Sequence, residues 1–483
     1  MQGSGPMVVE THISTLFFAG DRVYKLFKPV QTGFLDHRDV EARVAAVTTE
    51  LESNRRFAPD VYLGTSDIAE YGELVDRMLI MRRLPTDRRL SALVDDVGFD
   101  DHLVRVARAV AVLHAQLPPV LDPVPLASAA GLWSFWESSC AEIAPSIDDV
   151  IAAAEFEQVH DLARDYLRHH ESLFEARRRD GFVRDGHGDL IADDIFMLDD
   201  GPRILDCLAF DPAYRTADVL ADVAFLVMDI EHLAGAARAA RLMRAYCQFD
   251  DEHHSGSLAH HYVAYRAHVR AKVAVLRHRQ GDPGSAGLAR AFHRQALDHL
   301  VRGQPHLVLV GGAPGTGKTT LTEALADALN WSTLDSDTLR KDLKGIDHGD
   351  HRVDLHVDLY DEEATEATYS CLVRHAGALL AAGESVVLDA TWARAPHREL
   401  ARALASQHGA TMIEIECVLD PGIAADRVED RRERADDVSD ATAEIARRLA
   451  AARDPWPSAR RIDTREPPDT AVEGILRSVF DGD

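Results

Sequence analysis

The sequence feature that most constrains the fold is a glycine-rich turn within residues 307–320, LVLVGGAPGTGKTT. Four apolar residues precede the turn and a run compatible with a helix follows it, so the segment predicts a strand, a loop and a helix in succession. The spacing Gly312-x-x-x-x-Gly317-Lys318-Thr319 is that of the phosphate-binding loop. Glycines let several backbone N–H groups converge on one phosphate, and the start of the helix adds the positive end of its dipole.

The side chains of this loop predict a site for the phosphates of ATP. Lys318 is placed to reach the β- and γ-phosphates, and the hydroxyl of Thr319 suits Mg²⁺. The alternative is a plain glycine-rich turn, but the flanking strand and helix are the context in which the motif binds phosphate. The predicted nucleotide-binding residues are Gly312, Ala313, Pro314, Gly315, Thr316, Gly317, Lys318, Thr319 and Thr320.

Length, charge and cysteine content narrow the class of protein. A chain of 483 residues, 46% of them apolar, is expected to form two or three domains with packed cores. A net charge of −27 opposes general binding to nucleic acid or anionic membranes and favours cationic substrates. Five scattered cysteines, no signal peptide and no apolar run of about 20 residues predict a cytoplasmic protein without a membrane partner.

The pattern of the first 300 residues predicts two lobes. A hairpin at 13–27, a helix at 38–57 and a strand pair at 61–84 indicate a small antiparallel sheet with one long helix. From residue 90 onward the apolar spacing is helical, at 90–117, 132–140, 151–179 and through most of 216–300. Only two short strands interrupt it, at 195–198 and 203–206, after a compact polar segment at 183–189.

Beyond residue 300 the pattern alternates between strand and helix, which predicts a doubly wound α/β domain with a parallel sheet. A short polar connection with glycine and proline precedes this change. The predicted fold class is therefore a multidomain α+β and α/β protein. The predicted boundaries are a first domain at 1–302, with lobes at about 8–85 and 86–300, and a second domain at 303–483.

Three carboxylates follow predicted strands of the second domain. Asp389 ends an apolar strand and is predicted to hold Mg²⁺ or its water. Asp335 and Asp337 come where the second strand ends, which is where α/β sheets place ligands, and a carboxylate at this place is suited to accept the proton of an attacking hydroxyl. The alternative is that Asp337 caps the following helix. Arg340 is placed to clamp an anionic group of the nucleotide or the acceptor.

An arginine-rich helical segment and an acidic loop complete the second domain. Arg427 and Arg431 share one helix face and are predicted to form a lid over the transferring phosphate; the alternative is a solvated face with ion pairs. The loop at 346–358 alternates histidine with aspartate, and we expect it to close over the substrate rather than to bind metal.

The first domain contains a second arrangement that suits phosphate transfer. Asp189, in the segment His-Gly-Asp, is predicted to orient an acceptor hydroxyl, and Asp194 and Asp206 are predicted to hold Mg²⁺. Upstream, Lys25 on a strand and Glu50 on the next helix are placed to form an ion pair that fixes the lysine on the α- and β-phosphates.

The second domain resembles the small P-loop kinases, the group of polynucleotide, gluconate and shikimate kinases and zeta-type toxins. The resemblance covers about residues 304–483. It implies that Asp337 is the acceptor-side base, that Arg340 contacts substrate and that Arg427 and Arg431 belong to a lid. It does not select among the different acceptors of that group.

Residues from about 8 to 295 resemble the aminoglycoside phosphotransferases and choline kinases, and the whole chain looks like the bacterial proteins that fuse such a domain to a P-loop kinase domain. The segments Glu50-Leu51-x-x-Asn54-Arg55-Arg56 and 58–63 fit the fusion family. Two positions depart from its pattern, because Asp194 stands where the usual residue is Asn and Ala209 where it is Glu. No long glycine-rich nucleotide-binding loop precedes Lys25.

The sequence thus predicts an ATP- and Mg²⁺-dependent phosphotransferase acting on a hydroxyl of a small molecule, with no nucleic acid partner expected overall. The P-loop domain would bind ATP, and the kinase-like domain would hold a second site. The alternative is an ATPase-driven regulatory or ligand-binding protein, in which the first domain is a pseudokinase that binds a ligand without phosphorylating it.

Overall fold

The computed structural model describes residues 7–31, 35–250, 253–346, 361–434 and 453–480. Its backbone divides into two compact units. The first comprises 1–163, 174–254 and 259–299, and the second comprises 164–173, 255–258 and 300–483.

The first unit begins with a five-stranded antiparallel sheet in the order β1-β2-β3-β5-β4. Its strands are β1 (Met7–Glu10), β2 (Ser14–Ala19), β3 (Arg22–Phe27), β4 (Tyr62–Glu70) and β5 (Glu73–Arg82), and helix α1 (Val40–Arg55) lies between β3 and β4 in the chain. Val47 of α1 is buried with Phe27, Tyr62 and Leu79 of the strands, so the helix packs on the sheet. The predicted hairpin, helix and strand pair are all present, and β1 is an additional edge strand.

The rest of the first unit is mainly helical. Its helices include α2 (Phe99–Gln116), α3 (Ala129–Ile143), α4 (Ala153–His169), α5 (Glu171–Arg179), α6 (Val219–Ala234), α7 (Ala236–Asp250), α8 (Gly256–Arg279) and α9 (Ser285–Arg302), of which α4, α5, α8 and α9 also supply residues to the second unit. Two short antiparallel pairs carry the polar loops, β6 (Val183–Asp185) with β9 (Thr216–Asp218) and β7 (Ile195–Leu198) with β8 (Gly201–Ile204).

Two predicted helices have different bounds in the structure. The helix predicted from residue 90 begins at Phe99, because a separate 3-10 turn occupies Leu90–Leu93. The run predicted at 151–179 is two helices with a break at the buried His170, whose ring and backbone amide both bond the carbonyl oxygen of Tyr166.

The second unit contains a five-stranded parallel sheet in the order β11-β12-β10-β13-β14. Its strands are β10 (His306–Gly311), β11 (Ser332–Asp335), β12 (Val386–Asp389), β13 (Thr411–Val418) and β14 (Arg460–Asp463). Its helices include α10 (Lys318–Leu329), α11 (Ser336–Lys344), α12 (Glu362–Ala381), α13 (Ala395–Gln407), α14 (Pro421–Arg434) and α15 (Pro468–Phe480).

Separate apolar cores cover the two faces of this sheet. Leu309 and Leu388 point to one core and Val308 and Val387 to the other, as alternation along buried parallel strands requires. The predicted doubly wound α/β fold is therefore confirmed. None of the described helices is both long enough and apolar enough to cross a bilayer.

Two candidate phosphate-transfer sites

The P-loop of the second unit joins the buried strand β10 to the start of α10. Gly315 and Gly317 have positive φ angles of 81° and 80°. A Cβ atom at Gly315 would lie 2.3 Å from the carbonyl oxygen of Ala424, so the close approach of α14 requires glycine there. The Lys318 Nζ donates to the carbonyl oxygen of Ala313 at 3.4 Å, and its ammonium group therefore lies back over the loop. Thr319 and Thr320 are exposed in the first turn of α10.

Asp389 lies beside this loop because β12 pairs with β10 in parallel register, with Val310 opposite Asp389. Its side chain is buried, and its Oδ2 atom has no hydrogen-bond partner among the described residues. Burial raises the pKa of Asp389 to about 7, against the opposing charge of Lys318 and a hydrogen bond with Thr319. An unpartnered carboxylate oxygen next to a hydroxyl is a donor set that suits Mg²⁺, so the residues present fit the predicted metal.

The acceptor side of the same sheet edge carries Asp335 and Asp337. The Asp335 Oδ1 accepts from the Thr338 backbone N–H at 2.6 Å and caps α11, so the alternative in which Asp337 is the cap is wrong. Asp337 instead pairs with Arg340, which is largely buried. The cap belongs to Asp335 because that residue is extended at the end of β11, whereas Asp337 already lies in the first turn.

One predicted lid arginine is placed at the P-loop. The Arg427 Nη2 donates to the carbonyl oxygen of Thr464 at 3.3 Å, and a Cβ atom on Gly317 would lie 3.6 Å from its Nη1. Arg431 lies in α14 by its backbone, but its side chain is outside the described residues, as is the loop at 347–358.

In the first unit, Lys25, Glu50 and Asp206 come together although they are far apart in sequence. The Lys25 Nζ lies 2.7 Å from the Glu50 Oε1 and 3.6 Å from the Asp206 Oδ1. Burial works against the charge of Lys25, but the two carboxylates outweigh it and raise the pKa of the lysine. These three side chains and Asp189 line a cavity of about 510 Å³, whose other walls include Phe27, Ala45, Ala46, Leu208 and Phe210.

Asp189 and Asp194 both lie close enough to Asp206 for its charge to raise their pKa. Burial raises the pKa of Asp189, and burial together with the charges of Asp206 and Asp189 raises the pKa of Asp194 well above its usual value. Carboxylates that raise one another's pKa in this way fit a divalent cation. Among the described residues no three His, Cys, Asp or Glu side chains form a ready metal cage, so a cation here would need phosphate oxygens as further ligands.

The structure adds one residue that holds the His-Gly-Asp loop and that the sequence did not predict. The buried carboxylate of Asp222, on α6, accepts the backbone N–H groups of His187 at 2.7 Å and Gly188 at 2.8 Å. Although burial opposes ionisation, hydrogen bonds and the nearby imidazole of His114 lower the pKa of Asp222. The only sequence signal was a carboxylate within the apolar run of α6.

These two sites define the class of the protein. An ATP-dependent kinase is the class in which a P-loop with an adjacent strand-end aspartate, or a lysine–glutamate pair facing aspartates, is expected. A family model described as an AAA domain matches residues 307–456, which confirms the P-loop domain.

The chain is 35% identical over 471 residues to the uncharacterized proteins Rv2004c and MT2060 of Mycobacterium tuberculosis and Mb2027c of Mycobacterium bovis. Each match covers 96% of this chain and 93% of the relative. The chain therefore belongs to the family of these mycobacterial proteins, and it joins a kinase-like domain to a P-loop domain as the resemblance indicated.

Two solved structures are similar to parts of the chain. A choline/ethanolamine kinase family protein from Mesorhizobium loti is 12% identical, with a TM-score of 0.38, covering 62% of this chain and 92% of its own. The APS kinase of Mycobacterium tuberculosis, in complex with AMPPNP and APS, is 21% identical, with a TM-score of 0.28, covering 37% of this chain and 99% of its own.

Proposed function

We propose that the protein is a Mg²⁺-dependent cytoplasmic phosphotransferase that moves the γ-phosphoryl group of ATP to a hydroxyl of a small molecule. The observation that carries the proposal is the buried Oδ2 of Asp389, which has no hydrogen-bond partner in the described parts of the chain and lies beside Thr319 and the P-loop. A buried carboxylate of this kind costs free energy in the folded protein unless a cation or proton satisfies it. A Mg²⁺–nucleotide complex would supply that cation.

In the second unit each residue has a proposed role. The backbone N–H groups at 312–317 and the ammonium of Lys318 bind the phosphates, while Thr319 and Asp389 hold the metal. When bound, Mg²⁺ would neutralise charge on the transferring phosphate. Arg427 would act from the lid side, and Arg431 lies one turn further along the same helix.

The transfer itself needs a proton acceptor on the hydroxyl. Asp337 is proposed for this role rather than Asp335, because Asp335 is committed to the cap of α11, whereas Asp337 pairs with Arg340, whose guanidinium an anionic group of the acceptor would engage. The acceptor oxygen bonds to the γ-phosphorus as the bond between that phosphorus and the bridging oxygen breaks. ADP leaves, and the hydroxyl proton passes to Asp337. Arg340 would hold an anionic group of the acceptor and now pairs with Asp337.

We propose that the first unit contains a second phosphate-transfer site. Lys25, fixed by Glu50, would bind the α- and β-phosphates of ATP, and Asp194 and Asp206 would hold Mg²⁺. Asp189 would orient a hydroxyl in the 510 Å³ cavity.

A second candidate function is a regulatory or ligand-binding role for the first unit, with ATP hydrolysed only at the P-loop. What favours it is Asp194, which replaces the asparagine of the usual pattern and whose pKa is raised by burial and by three neighbouring carboxylates. Such a group adds negative charge where an asparagine would add none.

Acceptor-dependent ATP turnover of the full chain separates these candidates. We expect Lys318→Ala to remove most ATP consumption, and Asp189→Ala to remove a smaller part that depends on the acceptor. Lys344→Ala, an exposed lysine at the end of α11, is the matched control. Unchanged turnover in a folded Lys318→Ala protein would contradict the P-loop assignment, and turnover insensitive to Asp189→Ala with every acceptor would favour the regulatory role.

A further inference from the structure

Asp206 has an unusual backbone for a residue that must point into a cavity. Its φ angle is +62°, in the left-handed region that side-chain-bearing residues seldom adopt, and its side chain is 61% exposed. Such a conformation is disfavoured for a residue with a side chain and persists only where neighbouring groups impose it.

Two buried side chains of the small lobe bond the consecutive amides at this point. The hydroxyl of Tyr62, at the start of β4, accepts the backbone N–H of Asp206 at 3.0 Å. The Oδ1 of Asn54, at the end of α1, accepts the backbone N–H of Cys207 at 2.7 Å, and its Nδ2 donates to the Cys207 carbonyl oxygen at 3.5 Å. The side chains are 2% and 0% exposed, so water does not compete for these bonds.

The same end of α1 also reaches the second polar loop. The guanidinium of Arg56 donates to the carbonyl oxygens of Asp185 at 2.9 Å and Gly186 at 3.4 Å, just before the His-Gly-Asp segment. Asn54 also donates to the Glu50 carbonyl oxygen at 3.0 Å, one turn back along α1. The end of α1 thus connects Glu50, the partner of Lys25, to the loop of Asp206 and to the loop that leads to Asp189.

We propose that Asn54 and Tyr62 are positioning residues that hold Asp206 in the left-handed conformation and so aim its carboxylate at the metal of the first-unit site. The proposal rests on the function proposed for that site. It also gives a role to Asn54 and Tyr62, which the sequence segments shared with the fusion family contain but do not explain. Neither residue lines the cavity, so each acts on the reaction through Asp206.

The test uses the full chain with Lys318→Ala, which removes the ammonium group proposed to bind phosphate at the P-loop. Calorimetric titration with ATP is compared in Mg²⁺ and in EDTA. The dissociation constant in EDTA divided by that in Mg²⁺ measures the contribution of the metal. Because a lost hydrogen bond releases the strained Asp206, we expect Tyr62→Phe to lower this ratio about tenfold while ATP binding in EDTA changes less than about twofold. Asn54→Leu should act in the same direction.

A merely structural role would give a different pattern. If Tyr62 acts through Asp206, then Tyr62→Phe has no further effect once Asp206→Asn is present. The control Tyr166→Phe also removes a buried, hydrogen-bonded hydroxyl and should leave the ratio unchanged. Equal losses in Mg²⁺ and EDTA, or additive losses in the double variant, would overturn the proposal.

The outcomes also separate this proposal from the function it rests on. If Asp206→Asn lowers the ratio and Tyr62→Phe does not, the metal site stands and the positioning role is wrong. If the Lys318→Ala protein shows no gain from Mg²⁺ and Asp206→Asn has no effect, the first-unit site itself is wrong, and the positioning role fails with it.

Discussion

Asp389 lies in an environment that is unusual for a carboxylate. It is 3% exposed, and its Oδ2 atom is unpartnered within the described part of the chain. Burial and the neighbouring carboxylate of Asp335 raise its pKa to about 7, so the charged form is disfavoured until a cation arrives. The carboxylate of Asp389 is therefore expected to support metal binding and to lower the stability of the metal-free protein.

Asp389→Asn is expected to lower turnover and to raise stability. Turnover with Mg²⁺ and ATP should fall about 100-fold or more, because a metal ligand is lost. In EDTA at pH 8 the free energy of unfolding should rise by roughly 1–3 kcal/mol, since a carboxylate whose charged form is disfavoured by burial is removed. Urea denaturation and steady-state turnover measure the two effects. Asp327→Asn, on the exposed side of α10, is the control, and a clear loss of stability in Asp389→Asn would contradict the argument.

At the scale of single elements, helix α11 depends on the residue that caps its N-terminus, Asp335. Asp335→Ala removes the side-chain acceptor of the Thr338 N–H, and we expect a loss of about 1 kcal/mol in urea denaturation. Asp335→Asn should restore most of the stability, because an asparagine oxygen also caps helices. Equal stability of the alanine and asparagine variants would show that the cap contributes nothing.

Helix α6 holds two polar loops through two carboxylates with different numbers of partners. Asp222 accepts two backbone N–H groups and contacts His114, whereas Asp229 accepts only the Ala192 N–H among the described hydrogen bonds. An asparagine can rotate to satisfy one donor, but at Asp222 its NH₂ group must face a second donor.

We therefore expect Asp222→Asn to lower the free energy of unfolding by about 2–4 kcal/mol and Asp229→Asn by about 1 kcal/mol. Urea denaturation of both variants is the measurement, and each serves as the control of the other. Similar losses for the two would mean that the loop amides are not what the charge of Asp222 stabilises.

At the scale of the whole molecule, the sequence predicted features that depend on local spacing better than contacts between residues far apart in the chain. The glycine spacing of the P-loop predicted strand, loop and helix, because those residues interact within one turn of chain. By contrast, Tyr62 and Asn54 bond residues 144 and 153 positions away, and no sequence period reports such a contact. Strand β14 was missed because its sequence, RRID, has no apolar alternation.

Corrections to the predicted site have the same origin. The sequence placed Asp335 and Asp337 together at a strand end, but which of them caps α11 depends on where the first helical residue falls. Helix ends are set by hydrogen bonds of single residues, so a shift of two positions decides whether Asp335 or Asp337 is the cap. Asp222 was not predicted because its partners are backbone N–H groups, which every residue except proline carries.

Buried histidines in both units should make the folded chain sensitive to acid. Burial lowers the pKa of His268, on α8, to about 3, and the nearby positive groups add to that effect. Burial also lowers the pKa of His306, in β10, to about 4. The unfolded chain binds a proton at these residues near pH 6.5 and the folded chain does not, so stability is fully present above that pH and is lost as the pH falls.

His268→Phe tests this at one residue, whose ring centroid lies 4.5 Å from that of Trp136. Each buried histidine contributes a slope of up to about 1.4 kcal/mol per pH unit below 6.5. Between pH 7 and pH 5 the variant should therefore lose about 2 kcal/mol less stability than the parent protein. Urea denaturation at the two pH values measures the difference, with exposed His12→Gln as the control. A parent and variant that lose stability in parallel would mean that His268 takes up its proton in the folded protein as readily as in the unfolded chain.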